Sequence, residues 1–262
     1  SSNPDNLTSV NGTLYFTADD GTEGRELWKI NETGVPVQVD DINNGANSSN
    51  PSDLTVFNNT LYFIADDDRY GRELIKLDVN TGRTRIVKDI TSTYKSSNPV
   101  ILTIFNDSLY FTLTDRYGKT QLWKETNTGT TEQVRGISSS DSYNFSNLTI
   151  FNNSLYFSTT DDDNRTYLWK TNDLGDVEKV KASSSDFYNP SNFTIVNDTL
   201  YFTTTDKYDN QTYFWKTNST DVTQGVERVN GINPNSYNTS NFTIVNDTLY
   251  FTITDFNGVQ LW

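Results

Sequence analysis

The stretch Thr13-Leu14-Tyr15-Phe16-Thr17-Ala18-Asp19-Asp20 decides the fold, because its core, Leu-Tyr-Phe, returns six times. The copies begin at Leu14, Leu61, Leu109, Leu155, Leu200 and Leu249, in steps of 47, 48, 46, 45 and 49 residues. A period of about 40–50 residues marks repeat architecture, in which one unit cannot bury its apolar face alone and stacks on the next.

Each copy is preceded by a short apolar strand, a, at 6–11, 54–58, 102–106, 148–152, 193–197 and 242–246. The join is a two-residue turn signal: Asn11-Gly12, Asn58-Asn59, Asn106-Asp107, Asn152-Asn153, Asn197-Asp198 or Asn246-Asp247. Asn, Asp and Gly tolerate the positive φ that a tight hairpin needs. Strand b, with Leu-Tyr-Phe, follows at once. An acidic turn leads to strand c at 26–29, 73–76, 121–124, 167–170, 213–216 and 260–262. A Thr/Asn/Gly turn leads to strand d at 35–39, 83–88, 132–135, 177–181 and 226–229, and a Ser/Asn/Pro connector returns to the next a.

No helical periodicity appears, and strands apolar on both faces imply burial on both faces. Stacked four-stranded antiparallel units of this length make a β-propeller. The expectation is all-β: a six-bladed β-propeller of four-stranded antiparallel blades in a single domain, 1–262. The repeats run about 1–47, 48–95, 96–141, 142–187, 188–236 and 237–262. An open stack of blades is the structural alternative. The last repeat stops at Trp262, inside strand c, so 23 strands are expected and the last blade lacks its fourth. Three readings compete: a three-stranded blade, an edge strand supplied by another chain as in a filament, or a segment cut from a longer array. The first and third are favoured. Methionine is absent even at position 1, so the chain is read as processed or as part of something longer.

At Gly21-Thr22-Glu23-Gly24-Arg25-Glu26-Leu27-Trp28-Lys29 the sequence resembles the bacterial ELWxxDGT repeat proteins. The resemblance spans all six repeats and is sharpest in the first two, at Arg25-Glu26-Leu27 and Arg72-Glu73-Leu74. The family's trailing Asp-Gly-Thr is missing, as at Asn31-Glu32-Thr33-Gly34. The resemblance implies a propeller-like, secreted or surface-attached protein and supplies no catalytic residue.

Composition narrows the chemistry. Thirty-four acidic against 20 basic residues give a net charge of −14, which repels phosphate backbones and argues against a nucleic-acid partner. No apolar run approaches the length of a membrane span. Cysteine and histidine are both absent, which removes thiolate and disulfide chemistry, imidazole metal sites and nucleophile–histidine catalysis.

Three residue sets are candidates for function. Trp28, Trp123, Trp169, Trp215 and Trp262 recur once per repeat, with Ile75 in the second. They are either a row of sugar-stacking platforms or inter-blade core, and tolerance of Ile favours core. The acidic turns, with Asp19, Asp20, Asp66, Asp68, Asp161 and Asp163, are candidate calcium ligands. Hard-cation sites need six or more converging oxygens, so the expectation is no metal or other cofactor, with calcium as the alternative.

The third set is the N-x-S/T sequons. There are 17, where the Ser/Thr content of 62 in 262 and 32 Asn would give roughly 8 by chance. Duplication of strand a multiplies part of them. The glycosylation candidates are Asn31, Asn58, Asn106, Asn144, Asn152, Asn164, Asn197, Asn210, Asn218, Asn238 and Asn246. Connector aromatics (Tyr94, Tyr143, Phe187-Tyr188 and Tyr237) either anchor a partner or cap blade ends. No repeat carries a unique cluster of acids or Arg, as an active site would.

The functional expectation is a non-enzymatic extracellular or cell-surface module, N-glycosylated, acting in surface assembly or adhesion as a filament or layer subunit. Its partners are copies of itself, other surface proteins or glycans. A carbohydrate-binding lectin propeller is the alternative, and a glycosidase comes third.

Overall fold

A computed structural model of the chain describes residues 2–91, 95–137, 143–172, 175–180, 189–205, 212–218, 227–228, 238–255 and 258–262. It forms two compact halves, Ser1–Gln133 and Val134–Trp262. No helix among the described residues is long and apolar enough to cross a membrane.

The first half holds three antiparallel meanders. Sheet 1 is Asp5–Val10, Thr13–Asp19, Arg25–Ile30 and Pro36–Asp40; sheet 2 is Ser52–Phe57, Thr60–Asp67, Gly71–Asp78 and Arg83–Ile86. Sheet 3 is Val100–Phe105, Ser108–Thr114, Thr120–Thr126 and Thr131–Gln133. The second half holds sheet 4, Asn144–Phe151, Ser154–Thr160, Thr166–Thr171 and Val177–Lys179, and sheet 5, Ser191–Val196, Thr199–Thr205, Thr212–Asn218 and Glu227–Arg228. Sheet 6 has three strands, Asn238–Val245, Thr248–Asp255 and Gly258–Leu261. The described strands number 23, in the a-b-c-d order that the repeat predicts.

The a–b corners form as their residues dictate. Asn11 and Gly12 have φ of 48° and 77°, and both central residues are left-handed at all six corners. That is the type I′ geometry whose twist matches the strands it joins.

Strand b alternates with period 2. In the first half, Tyr15, Leu27 and Val10 of sheet 1 pack on Leu61, Phe63 and Ile75 of sheet 2. In turn Tyr62, Ile64 and Leu74 pack on Leu109, Phe111 and Trp123 of sheet 3. The second half repeats the pattern: Tyr156 and Leu168 face Leu200, Phe202 and Trp215, and Tyr201 and Phe214 face Leu249 and Phe251. Within each half, a sheet thus offers a Tyr/Leu face to the sheet that follows it there, which meets it with a Leu/Phe/Trp or Leu/Phe/Ile face. Fully buried rings such as Phe63 and Phe111 each contribute about 1.5–3 kcal/mol.

The Arg-Glu of the ELW-like motif is a connector clamp. Glu26 is fully buried and its Oε1 accepts the N–H of Ser49 at 2.8 Å; Glu73 accepts the N–H of Ser97 at 2.8 Å. The Ser49 and Ser97 hydroxyls donate to the same two carboxylates. The neighbouring connector serines, Ser48 and Ser96, accept the Arg25 and Arg72 N–H groups at 2.8 and 2.9 Å. Arg25 reaches back to the Asn3 carbonyl at 2.7 Å and Arg72 to the Asn50 carbonyl at 3.4 Å. Only glycine fits before each Arg. At Gly71, φ is +75° and a Cβ would lie 2.8 Å from the Ser96 nitrogen.

Candidate functional site

The meander sets two ends to each sheet. Acidic b–c turns and connectors lie at one end, a–b corners and c–d turns at the other. The sequence candidates distribute over both.

The Trp residues behave mainly as packing. Trp123 and Trp215 stand against the preceding sheet, and Trp169 is buried with its Nε1 donating to the Thr159 hydroxyl at 2.8 Å. Trp28 differs. It lines an open apolar groove of about 500 Å³ with Leu7, Leu14, Phe16, Ile30 and Pro36, on the face that in sheets 2, 3, 5 and 6 meets the preceding sheet. Trp262 is 44% exposed.

The acidic turns spend their oxygens on their own backbones. Asp20 accepts the N–H groups of Thr22 at 2.7 Å and Glu23 at 2.9 Å, and the Thr22 hydroxyl. The Glu23 amide, then the Thr22 hydroxyl, hold it below the usual carboxylate range. Asp19 accepts the Gly21 N–H at 2.7 Å. Burial acts to raise Asp161, but hydrogen bonds from Arg165 and Tyr167 and the Arg165 charge leave it lowered. Asp66 pairs with Arg72 at 3.2 Å, Asp163 with Arg165 at 2.8 Å and Asp68 with Arg69 at 3.8 Å. Among the described residues no three acidic side chains converge as a metal site.

The sequon asparagines fall into distinct classes. Asn6, Asn147, Asn192 and Asn241 sit in strand-a bulges with φ of 54–57°. Their amides donate inward; Asn147 reaches the Ser158 hydroxyl and the Pro190 carbonyl, both at 2.9 Å. At the corners, Asn58 donates to the Asn127 carbonyl at 2.7 Å and Asn197 to the Asp247 carbonyl at 3.0 Å. Asn106, Asn152 and Asn246 are exposed corner residues. Asn144 and Asn164 are exposed outside the corners, and their side chains make no hydrogen bond among the described residues. Asn31, half-buried, accepts the N–H and hydroxyl of Thr33 and the N–H of Val35 on its carbonyl at 3.0, 2.8 and 2.9 Å. Asn218 ends strand c of sheet 5 and Asn238 opens sheet 6. Asn210, Tyr94, Phe187, Tyr188 and Tyr237 lie outside the described residues, and Tyr143 is buried.

One cluster went unseen in the sequence. At the corner end of sheets 2 and 3 a polar cavity of about 460 Å³ is lined by Asn59, Tyr62, Lys76, Asn80, Arg85 and Glu125, among others. Glu125 has no exposed side-chain surface and forms an ion pair with the nearly buried Lys76. It also accepts the Tyr62 hydroxyl at 3.3 Å and the Thr131 hydroxyl. Burial, then the Glu125 charge, raises the Tyr62 pKa, so Tyr62 stays a donor. This Lys–Glu–Arg set spans repeats 2 and 3, so it lies beside the expectation that no single repeat carries a unique cluster of acids or Arg. The signal was Glu125, which replaces the Ile30, Leu77, Thr171 and Thr217 of the other repeats. Reading it needs the strand register.

No protein-family model matches the chain, and no curated protein matches its sequence. The ELWxxDGT resemblance therefore stays with the motif residues. Solved structures are similar in architecture. The lectin BP39L from Burkholderia pseudomallei is 11% identical, with 98% of this chain and 79% of that chain covered and a TM-score of 0.44. The β-propeller domain of the Trilobed protease from Pyrococcus furiosus is 11% identical over 98% and 81%, with a TM-score of 0.41. Oligopeptidase B from Leishmania major is 12% identical over 94% of this chain and 38% of its own, with a TM-score of 0.46. A prolyl endopeptidase is likewise matched over 49% of its chain, so this chain spans about half, or less, of these peptidases. Likeness at this level carries no ligand or activity to this chain.

Proposed function

We propose that this chain is a non-enzymatic, extracellular or cell-surface β-propeller module of six blades that carries N-glycans and acts in surface assembly or adhesion. The observation that carries the reading is the position of Asn31, Asn144 and Asn164. They make sequons outside the corner and bulge positions that the fold needs, and Asn144 and Asn164 are exposed.

The end faces support an assembly role. In sheet 6, Val245, Tyr250 and Leu261 are 48%, 39% and 72% exposed, whereas their counterparts Val10, Tyr15 and Leu27 in sheet 1 are at most 3% exposed. The Leu14/Phe16/Trp28 groove of sheet 1 is a second apolar face open to solvent. Exposed apolar faces of this kind are what an assembly of copies would bury.

The test is the intact mass of protein from its native source, followed by the same measurement on variants of Asn31, Asn144 and Asn164 changed to Gln. Discrete sugar steps above 29.8 kDa, lost one site at a time, support the reading. The bare mass removes it.

A further inference from the structure

The repeat carries a charge pair that is reversed in one place. Strand c holds a Lys at 29, 76, 124, 170 and 216, opposite Val37, Arg85, Glu132, Glu178 and Glu227 of strand d. In sheets 3 and 4 this is a cross-strand ion pair, Lys124–Glu132 at 3.2 Å and Lys170–Glu178 at 3.0 Å. In sheet 2 the opposite residue is Arg85, and like charges directly opposite are destabilising. Lys76 is neutralised from the next sheet instead, by the buried Glu125.

The other charged groups at this cavity are already engaged. Glu125 is occupied by Lys76, Tyr62 and Thr131. Asp78 accepts the N–H groups of Asn80 and Thr81 at 3.0 and 3.2 Å, and the Thr81 amide, first among several causes, holds its carboxyl low. The Arg85 guanidinium lines the cavity, is solvent-exposed, and makes no hydrogen bond or ion pair among the described residues.

We propose that this cavity binds a small acidic sugar of the uronic-acid type, with its carboxylate on Arg85 and its hydroxyls on the surrounding amides and hydroxyls. A guanidinium fork matches a carboxylate in two parallel hydrogen bonds. The lining is mostly polar, with Asn59 and Asn80 supplying both donors and acceptors. A cavity of about 460 Å³ suits a sugar residue. A phosphate dianion fits less well, because Glu125 and Asp78 stand in the same wall and Arg85, whose charge also acts on Asp78, is the one lining cation outside an ion pair among the described residues. The proposal is independent of the glycosylation reading.

The test is saturation-transfer NMR and calorimetry on the full chain with glucuronate and galacturonate, the matching neutral hexoses, and acetate. The decisive variant is Arg85→Glu, which installs the Lys–Glu pair that sheets 3 and 4 already use and so keeps the sheet. Arg85→Gln serves if that variant does not fold. Saturable uronate binding, weaker by at least about tenfold for the hexose and again for the variant, with a thermal midpoint no lower than the parent's, supports the proposal. Absence of saturable uronate binding, equal binding of the neutral hexose, acetate competing as well as uronate, or full affinity in Arg85→Glu overturns it.

Discussion

Replacing Glu73 with Gln should make this protein more stable above neutrality and leave it nearly unchanged in mild acid. Glu73 has no exposed surface, and burial, opposed by the two Ser97 hydrogen bonds and assisted by Asp89 and Asp67, raises its pKa from 4.5 to about 7. The unfolded chain releases this proton near 4.5, whereas the folded chain keeps it until about 7. Between those values the native state binds more protons, so stability is fully present below 4.5 and falls as pH rises through about 7. At about 1.4 kcal/mol per pH unit the loss is about 3 kcal/mol. Glu26, raised chiefly by burial, acts in the same direction. Gln can keep the clamp, since its carbonyl accepts the Ser97 N–H and its amide donates to the Ser97 hydroxyl. The chain already places Gln here, at Gln121 and Gln260. Urea unfolding followed by tryptophan fluorescence should show Glu73→Gln within about 1 kcal/mol of the parent at pH 5 and about 3 kcal/mol more stable at pH 8, at unchanged m. Parallel pH profiles for the two proteins, or a Gln variant weaker at pH 8, would refute the reasoning.

Two further substitutions test packing. Gly71→Ala should cost at least about 2 kcal/mol, from left-handed backbone and the approach to Ser96, against about 1 kcal/mol for Gly82→Ala, which has φ +69° and nothing within 4 Å of its Cβ. Urea midpoints of the pair decide it, and equal midpoints would show that the connector yields. Glu125→Ala should cost about 3–5 kcal/mol by leaving Lys76 buried without its partner, while Lys76→Met with Glu125→Leu recovers most of it; a double-mutant cycle reads the coupling.

The fold was legible because two periodicities agree. The recurrence of Leu-Tyr-Phe gave the repeat, and alternation within it placed Tyr on one sheet face and Leu and Phe on the other. Corner residues such as Asn106-Asp107 then fixed the hairpins, since a left-handed pair of residues has few other uses. The Arg-Glu pair of the motif was harder. Its residue types suit hydroxyl recognition, and only the structure shows the hydroxyls to be those of the chain's own connector serines. The Lys76–Arg85 inversion was hidden for a different reason. It becomes visible only when the c–d register places Arg85 where Glu132 stands one repeat later.

The sequons show how one sequence pattern can have two origins. The bulge needs a residue that accepts positive φ, and Asn is among the few that do. Two residues on, a hydroxyl returns to its carbonyl: Thr8 to Asn6 at 3.2 Å, Thr194 to Asn192 at 3.3 Å. The corners repeat the device, with Ser108 on Asn106 at 3.3 Å and Thr248 on Asn246 at 3.4 Å. An N-x-S/T triplet is therefore what the backbone asks for at these places. Repeat 2 separates the two demands, because Asp53 takes the same left-handed conformation at φ 54° and Thr55 bonds its carbonyl at 3.0 Å without making a sequon. Repeat 3 marks the limit: Ile101 stands where a left-handed residue would, and its bulge falls between Tyr110 and Phe111 with no positive φ. Glycan attachment thus has to be argued from asparagines the backbone does not require. Asn144 meets that condition, whereas Asn164 is left-handed at φ 59° and the Asn31 carbonyl caps its own turn, so occupancy at Asn144 carries more weight than any total count of triplets.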